Sequence, residues 1–191
     1  FIDTSAVDHG YGYRYVVAVL HPDGNESWSM PVDIQFDRQR LPDFMFIRSV
    51  SVGAAPEAFP QILLEAEGLH DLQTLSLERA SQGVNFEPLQ RWEANELALN
   101  NGQLQLQYTD RSANTSRQSW TYRFVFHDWC GKPRQYSNAA NSICLQGKTL
   151  FSLSNQLEWN DYIGWQTVHY DLQLERRFDE PGSSFAPLVH F

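Results

Sequence analysis

Cationic residues are scarce in this chain. Fourteen lysines and arginines face 23 aspartates and glutamates over 191 residues, a formal charge of −9. An acidic surface repels phosphate, so nucleic-acid binding and docking on anionic membranes are disfavoured. Long apolar runs are missing too. None approaches the roughly 18–20 residues that span a bilayer, so no membrane insertion by this segment is expected. Methionine and cysteine occur twice each. The two thiols, Cys130 and Cys144, are too few for a disulfide scaffold and lack zinc-ligand spacing. The first residue is Phe1, and no basic stretch precedes an apolar one. The sequence is therefore expected to be processed or a piece of something longer.

The patterns that carry chemistry are equally sparse. None of the six histidines (His9, His21, His70, His127, His169 and His190) forms a His-Glu-x-x-His pair or lies near a Gly-x-Ser-x-Gly elbow. His127 and Asp128 stand beside Cys130, but adjacent strand residues point to opposite faces and cannot both serve one nucleophile. There is no glycine-rich phosphate loop and no Asp-rich calcium loop; Asp23-Gly24 reads as a turn. No catalytic residue, cofactor or metal site is expected.

What the chain does have is apolar and aromatic material, 42% and 14% of its residues, enough for a packed core. It also repeats itself. Tyr13-Arg14-Tyr15-Val16-Val17 matches Tyr122-Arg123-Phe124-Val125-Phe126 at an offset of 109. Asp3 with Ser5-Ala6 matches Asp110 with Ser112-Ala113 at 107. Elsewhere Leu64-Glu65 matches Leu157-Glu158, Leu77-Glu78-Arg79 matches Leu174-Glu175-Arg176, and Pro88-Leu89 matches Pro187-Leu188, at offsets of 93, 97 and 99. The order of the matches divides the chain. Residues 1–36 read as the end of one unit, 37–43 as a linker, 44–148 as a complete unit and 149–191 as the beginning of a third.

Inside the unit the period is two. Leu104, Leu106 and Tyr108 alternate with glutamines, and Trp120, Tyr122, Phe124 and Phe126 alternate with Thr121, Arg123, Val125 and His127. Such alternation marks half-buried antiparallel strands, and turn residues separate the runs. Leu63 to Ala80 could be drawn as an amphipathic helix, but Gly68 interrupts it and its repeat partner is rich in Trp, Tyr and Val. Strand is expected there. Seven strands result: near 44–52, 61–67, 74–79, 86–91, 103–108, 120–128 and 139–145. The expected fold class is all-β, with tandem immunoglobulin-like antiparallel sandwiches.

Tyr13–Val17 followed by Gly24-Asn25-Glu26-Ser27 and Ser29 resembles the F–G hairpin of a fibronectin type III domain. Leu157 to Tyr162, then Tyr170-Asp171-Leu172, resembles its B and C strands. Trp120 to Phe124, Asp128-Trp129-Cys130-Gly131, Ser137 and Ile143-Cys144-Leu145 resemble tandem repeats in large surface proteins of gliding bacteria. Ala66 against Trp159, Leu75 against Tyr170 and the cysteine-free turn of the first copy depart from that pattern. The resemblance implies secretion by a type IX-like route and an extracellular place on the bacterial cell surface.

The expected function is a structural and adhesive module. Its partners would be neighbouring repeats, a surface anchor, the export machinery or an extracellular ligand. A carbohydrate-binding or spacer module of a secreted hydrolase is the alternative, and an export factor presenting sheet edges is a third. Trp120 and Trp159 are expected in the core. Trp28, Trp92, Trp129 and Trp165 fall in loops or at strand ends; they are the candidates for glycan or partner contact, against local packing. Cys130 and Cys144 are the candidate disulfide, because the matched positions of the first copy lack both; two separate thiols are the alternative.

Overall fold

Antiparallel strands make up most of what the computed structural model describes, residues 2–3, 12–34, 39–53, 58–81, 83–151, 154–165, 173–177 and 182–190. The chain divides into two compact units, Phe1–Leu41 and Pro42–Phe191. In the first, β1 (Tyr13–Tyr15), β2 (Ala18–Leu20), β3 (Glu26–Trp28) and β4 (Val32–Ile34) form one interrupted hairpin, β1 pairing with β4 and β2 with β3. Gly24, at φ 91°, takes the left-handed conformation that the connecting turn requires.

The second unit begins with β5 (Phe44–Val52), β6 (Pro60–Glu67), β7 (Thr74–Ser81), β8 (Val84–Glu93), β9 (Leu104–Thr109), β10 (Trp120–His127), β11 (Pro133–Tyr136) and β12 (Ala140–Asn141). Two antiparallel sheets result. One has the order β5-β6-β9; in the other, β8, β7 and β10 run in sequence, and β11 and β12 both pair with β10. One apolar cluster joins them: Ile47, Ile62, Leu64 and Leu104 from the first sheet, Leu75, Leu77, Tyr122, Phe124 and Phe126 from the second. Burying each such side chain contributes on the order of 1.5–3 kcal/mol, so the core is the principal source of cohesion.

Leu63 to Ala80 is strand, as expected, broken only by a short 3-10 turn at Leu69–Asp71. The last strand lies elsewhere than the sequence places it. It starts at Pro133 rather than near Ala139 and is split, while Leu145 belongs to a separate hairpin. A bulge on β11, where Phe126 faces Gln135 but His127 faces Pro133, obscures the period of two there.

The chain continues with β13 (Leu145–Thr149) paired to β14 (Asn155–Trp159), and β15 (Gln173–Arg176) paired to β16 (Ala186–His190). Trp159, expected in the core, remains 36% exposed. An open cleft of about 760 Å³ lies between these two hairpins.

The repeat is structural as well as sequential. In the first unit the Tyr15 hydroxyl donates to Asp3 (2.9 Å); in the second, Tyr122 donates to Asp110 (3.0 Å). Gly24 N donates to the His21 carbonyl as Gly131 N does to that of Asp128. Val17 N donates to Ser29 Oγ as Phe124 N does to Ser137 Oγ. The true offset along the β1–β2 run is therefore 107, and it becomes 108 past the turn, where the bulge adds a residue. The match of Tyr13 to Tyr122 at 109 is out of register by two. A slip of two leaves every side chain on its face, so alternation could not expose the error. The other end repeats too. Leu77 faces Gln90 and Glu78 faces Pro88 across a bulge; Leu174 faces Val189 and Glu175 faces Pro187 across the same bulge.

Candidate functional site: a joint and a buried corner

Beyond β14 the chain turns back along β12 as an extended strap, Asn160 to Trp165, and three asparagines hold it. Asn141 Oδ1 accepts from Ile163 N (2.7 Å), and Asn141 Nδ2 donates to the Asp161 carbonyl (2.8 Å). Asn141 N also donates to the Ile163 carbonyl (3.2 Å). Asn160 Oδ1 accepts from Cys144 N (2.7 Å), and its amide donates to the Ser142 carbonyl (3.2 Å). Asn138 bridges two elements. It brackets Ile47 through both backbone groups and donates to the Gly164 carbonyl (2.6 Å). Gly164 sits at φ 139°, and a Cβ there would lie 2.7 Å from that of Ala140. Only glycine permits so close an approach.

Each such bond contributes about 1 kcal/mol net, and a buried amide left without its partner costs more. Asn141 and Ser142 are buried, so the strap satisfies groups that water cannot reach. Its position also covers the outer edge of β12, an edge that would otherwise be open to pairing.

Next to the joint lies a buried corner. The Asp110 carboxylate, 1% exposed, accepts from Tyr122, from Ser112 N and Oγ, and from Arg79 (2.7 Å). Arg79 also lies over the Trp120 ring, 4.3 Å from its centroid. Burial pushes the Asp110 carboxyl up, but the Ser112 and Arg79 bonds outweigh it and leave it below the ordinary carboxylate range. Burial, with the Asp110 charge behind it, raises the Tyr122 phenol far above its ordinary value. All four donors to the Asp110 carboxylate come from the protein itself, and the arrangement fixes the entry of β10.

The candidate contact residues separate. Trp92 is half-buried, packed between Tyr108 (5.6 Å) and Phe124 (6.1 Å) at the core's margin, so it presents no ligand platform. Trp165 serves the joint, its Nε1 donating to the Arg48 carbonyl (2.8 Å) and its ring packing on Tyr162 (4.9 Å), while it stays 47% exposed. Trp28 is exposed on β3, its Nε1 donating to Glu26 (3.1 Å). Trp129 projects from the turn between β10 and β11, 54% exposed. These four residues do not form one surface within a single compact unit.

Cys130 and Cys144 are both free thiols, the first exposed and the second buried, which corrects the disulfide expectation. Cys130 lies in the turn past the His127 end of β10, whereas Ser142 pairs with Trp120 at its other end. Eight residues at about 3.3 Å each separate those ends by roughly 25 Å, against the 7 Å or so that a bridge tolerates between Cα atoms.

His127 interacts with Ser76 Oγ on β7 (2.9 Å) and with the Gly131 carbonyl (3.2 Å), and so ties the turn after β10 to β7. Among the described residues no group of three or more His, Cys, Asp or Glu side chains is placed to hold a metal ion, and no helix is long and apolar enough to cross a membrane. His9 and His169 lie outside the described residues.

Sequence reasoning missed the joint. Its asparagines look like ordinary loop residues. No protein-family model, no curated protein and no solved structure matches the chain.

Proposed function

We propose that the chain is a non-catalytic structural and adhesive module built from tandem fibronectin type III-like sandwiches. Residues 44–148 would be the complete domain, with parts of two others at 1–36 and 149–191. The observation that carries the reading is the strap. Through paired amides it ties the chain beyond β14 to the last strands of the complete repeat, an arrangement suited to transmitting length and stiffness. The strand order β5-β6-β9 against β8-β7-β10-β11 supports the sandwich assignment. On the resemblance to repeats of gliding bacteria, such a module would stand on the outer cell surface, exported by a type IX-like route.

Pulling the 191-residue chain by its ends in a force spectrometer tests the structural claim. One step releasing roughly 100 residues, about 350 Å of extended chain, is expected. Smooth extension without a step would overturn it. Labelling intact source cells with an antibody to the chain tests the location, and signal appearing only after lysis would contradict it. The second reading, a carbohydrate-binding or spacer module of a secreted hydrolase, rests on exposed Trp129. A glycan array that lights up for the native chain and goes dark with Trp129→Ala would favour it.

A further inference from the structure

We propose that Asn138 and Trp165 form a clamp between β5, by which the chain enters the β5–β12 core, and the strap, which carries the chain onward past it. Tension then passes from one to the other without loading the core. The inference rests on the reading of the chain as a structural module and states how that module carries force. Along the chain 117 residues separate Arg48 from Trp165, yet Trp165 Nε1 donates to the Arg48 carbonyl (2.8 Å). Asn138 supplies the second link. Its Oδ1 accepts from Ile47 N (2.6 Å), while its Nδ2 donates to the Ile47 carbonyl (3.2 Å) and to the Gly164 carbonyl (2.6 Å). Both amide hydrogens are thereby used, one on each segment.

The clamp is anchored from within. Ser137 Oγ accepts from Phe124 N (2.9 Å) and donates to the Asn138 carbonyl (2.8 Å), so the backbone that presents the amide is fixed to β10. The asparagine is specific to the joint. At the offset of 108 that aligns Ser29 with Ser137, Asn138 corresponds to Met30, which has no amide and is 85% exposed. Ser29 Oγ makes the same two bonds, accepting from Val17 N and donating to the Met30 carbonyl. The hairpin therefore forms with either residue, and the amide is needed only for what it joins.

The covalent route from Trp165 back to β5 runs through the strap, β14, β13 and the strands of the core. The clamp replaces it with two short contacts, Trp165 to Arg48 and Gly164 through Asn138 to Ile47. While these hold, the segment between them is outside the load path. The strap is held at one edge, whereas the two sheets share a buried cluster, so the clamp yields before the core. Its failure releases the strap with β13 and β14, roughly 20 residues or about 70 Å of extended chain.

Pulling the 191-residue chain by its ends, with two variants beside it, tests this. Asn138→Asp keeps the shape and the acceptor for Ile47 N but loses both donors, and Trp165→Phe keeps a ring but loses the Nε1 hydrogen. The native chain should show the small release before the large step of the β5–β12 core. Each variant should lower the force of that release or abolish it, and leave the large step in place, which also shows that the variant folds. In hydrogen exchange the amides of Asn141, Ile163 and Cys144 have acceptors across the joint. They should exchange roughly fivefold or more faster in Asn138→Asp, while those of β6 and β7 keep their native rates. A small release indifferent to both substitutions, one that comes only with or after the large step, or joint amides at native rates would overturn the clamp alone. Absence of the large step in the native chain would overturn the structural reading and the clamp with it.

Discussion

The hairpin β1–β4 and the hairpin made by β10 with β11 and β12 share their hydrogen bonds and differ in their burial. Both place a tyrosine hydroxyl on an aspartate twelve residues upstream, a positive-φ glycine in the turn and a serine hydroxyl under a backbone amide. Yet Phe124 is fully buried, while its counterpart Val17 is largely exposed. The difference shows that the local bonds belong to the hairpin sequence itself, whereas burial comes from the strands that flank it. In the complete copy those strands are β7 and the β5-β6-β9 sheet.

The largest way to break this comparison is at the core. Phe124→Ala should destabilise the complete repeat by about 3–5 kcal/mol, and Val17→Ala should change unfolding by no more than about 0.5 kcal/mol. Paired denaturant titrations of the two variants check this, and similar losses would erase the distinction.

The corner should come next. Asp110→Asn unsettles a buried carboxylate with four donors and should cost roughly 1–3 kcal/mol, whereas Asp3→Asn should cost less. Because the Asp110 carboxyl lies below its ordinary value in the fold, its contribution is complete above the unfolded pKa of about 4 and disappears as pH falls through the lower folded value. The Tyr122 phenol, raised in the fold, contributes fully below about pH 10 and is lost as pH rises above that. Melting temperatures of the native chain and Asp110→Asn across the acid range should converge as pH drops.

At the joint, Asn141→Ala leaves Ile163 N and the Asp161 carbonyl without their partners. Limited proteolysis should then cut between residues 160 and 165 at least several-fold faster, with the β5–β12 core intact. Ser137→Ala removes a hydroxyl that accepts from Phe124 N and donates to the Asn138 carbonyl and should cost about 0.5–1.5 kcal/mol per hydrogen bond, with Ser29→Ala costing less.

Much of this was legible in the residues. The runs 103–108 and 120–128 alternate, and all six strands expected at 44–52, 61–67, 74–79, 86–91, 103–108 and 120–128 are strands whose ends shift by only a few residues. The last strand was not legible, because Pro133-Arg134-Gln135-Tyr136 is polar and bulged, so its side chains keep no single period. The joint was hidden for another reason. Asn138, Asn141 and Asn160 act through backbone groups far along the chain, and no local pattern marks an amide that will find such partners. The cysteines failed on geometry. Their joint absence from the first copy said nothing of the eight-residue strand that keeps them apart.

Amide hydrogen exchange over the whole chain, at a concentration where it is monomeric, tests the central claim most directly. That claim is that burial by flanking strands, more than the hairpin's own bonds, separates β5–β12 from the terminal hairpins. Amides of β6, β7, β9 and β10 should exchange only through one shared global opening. Those of β1–β4 and β13–β16 should exchange through smaller local openings, with Ile163 and Cys144 protected by the joint. Equal protection of β1–β4 and β10 would contradict the account.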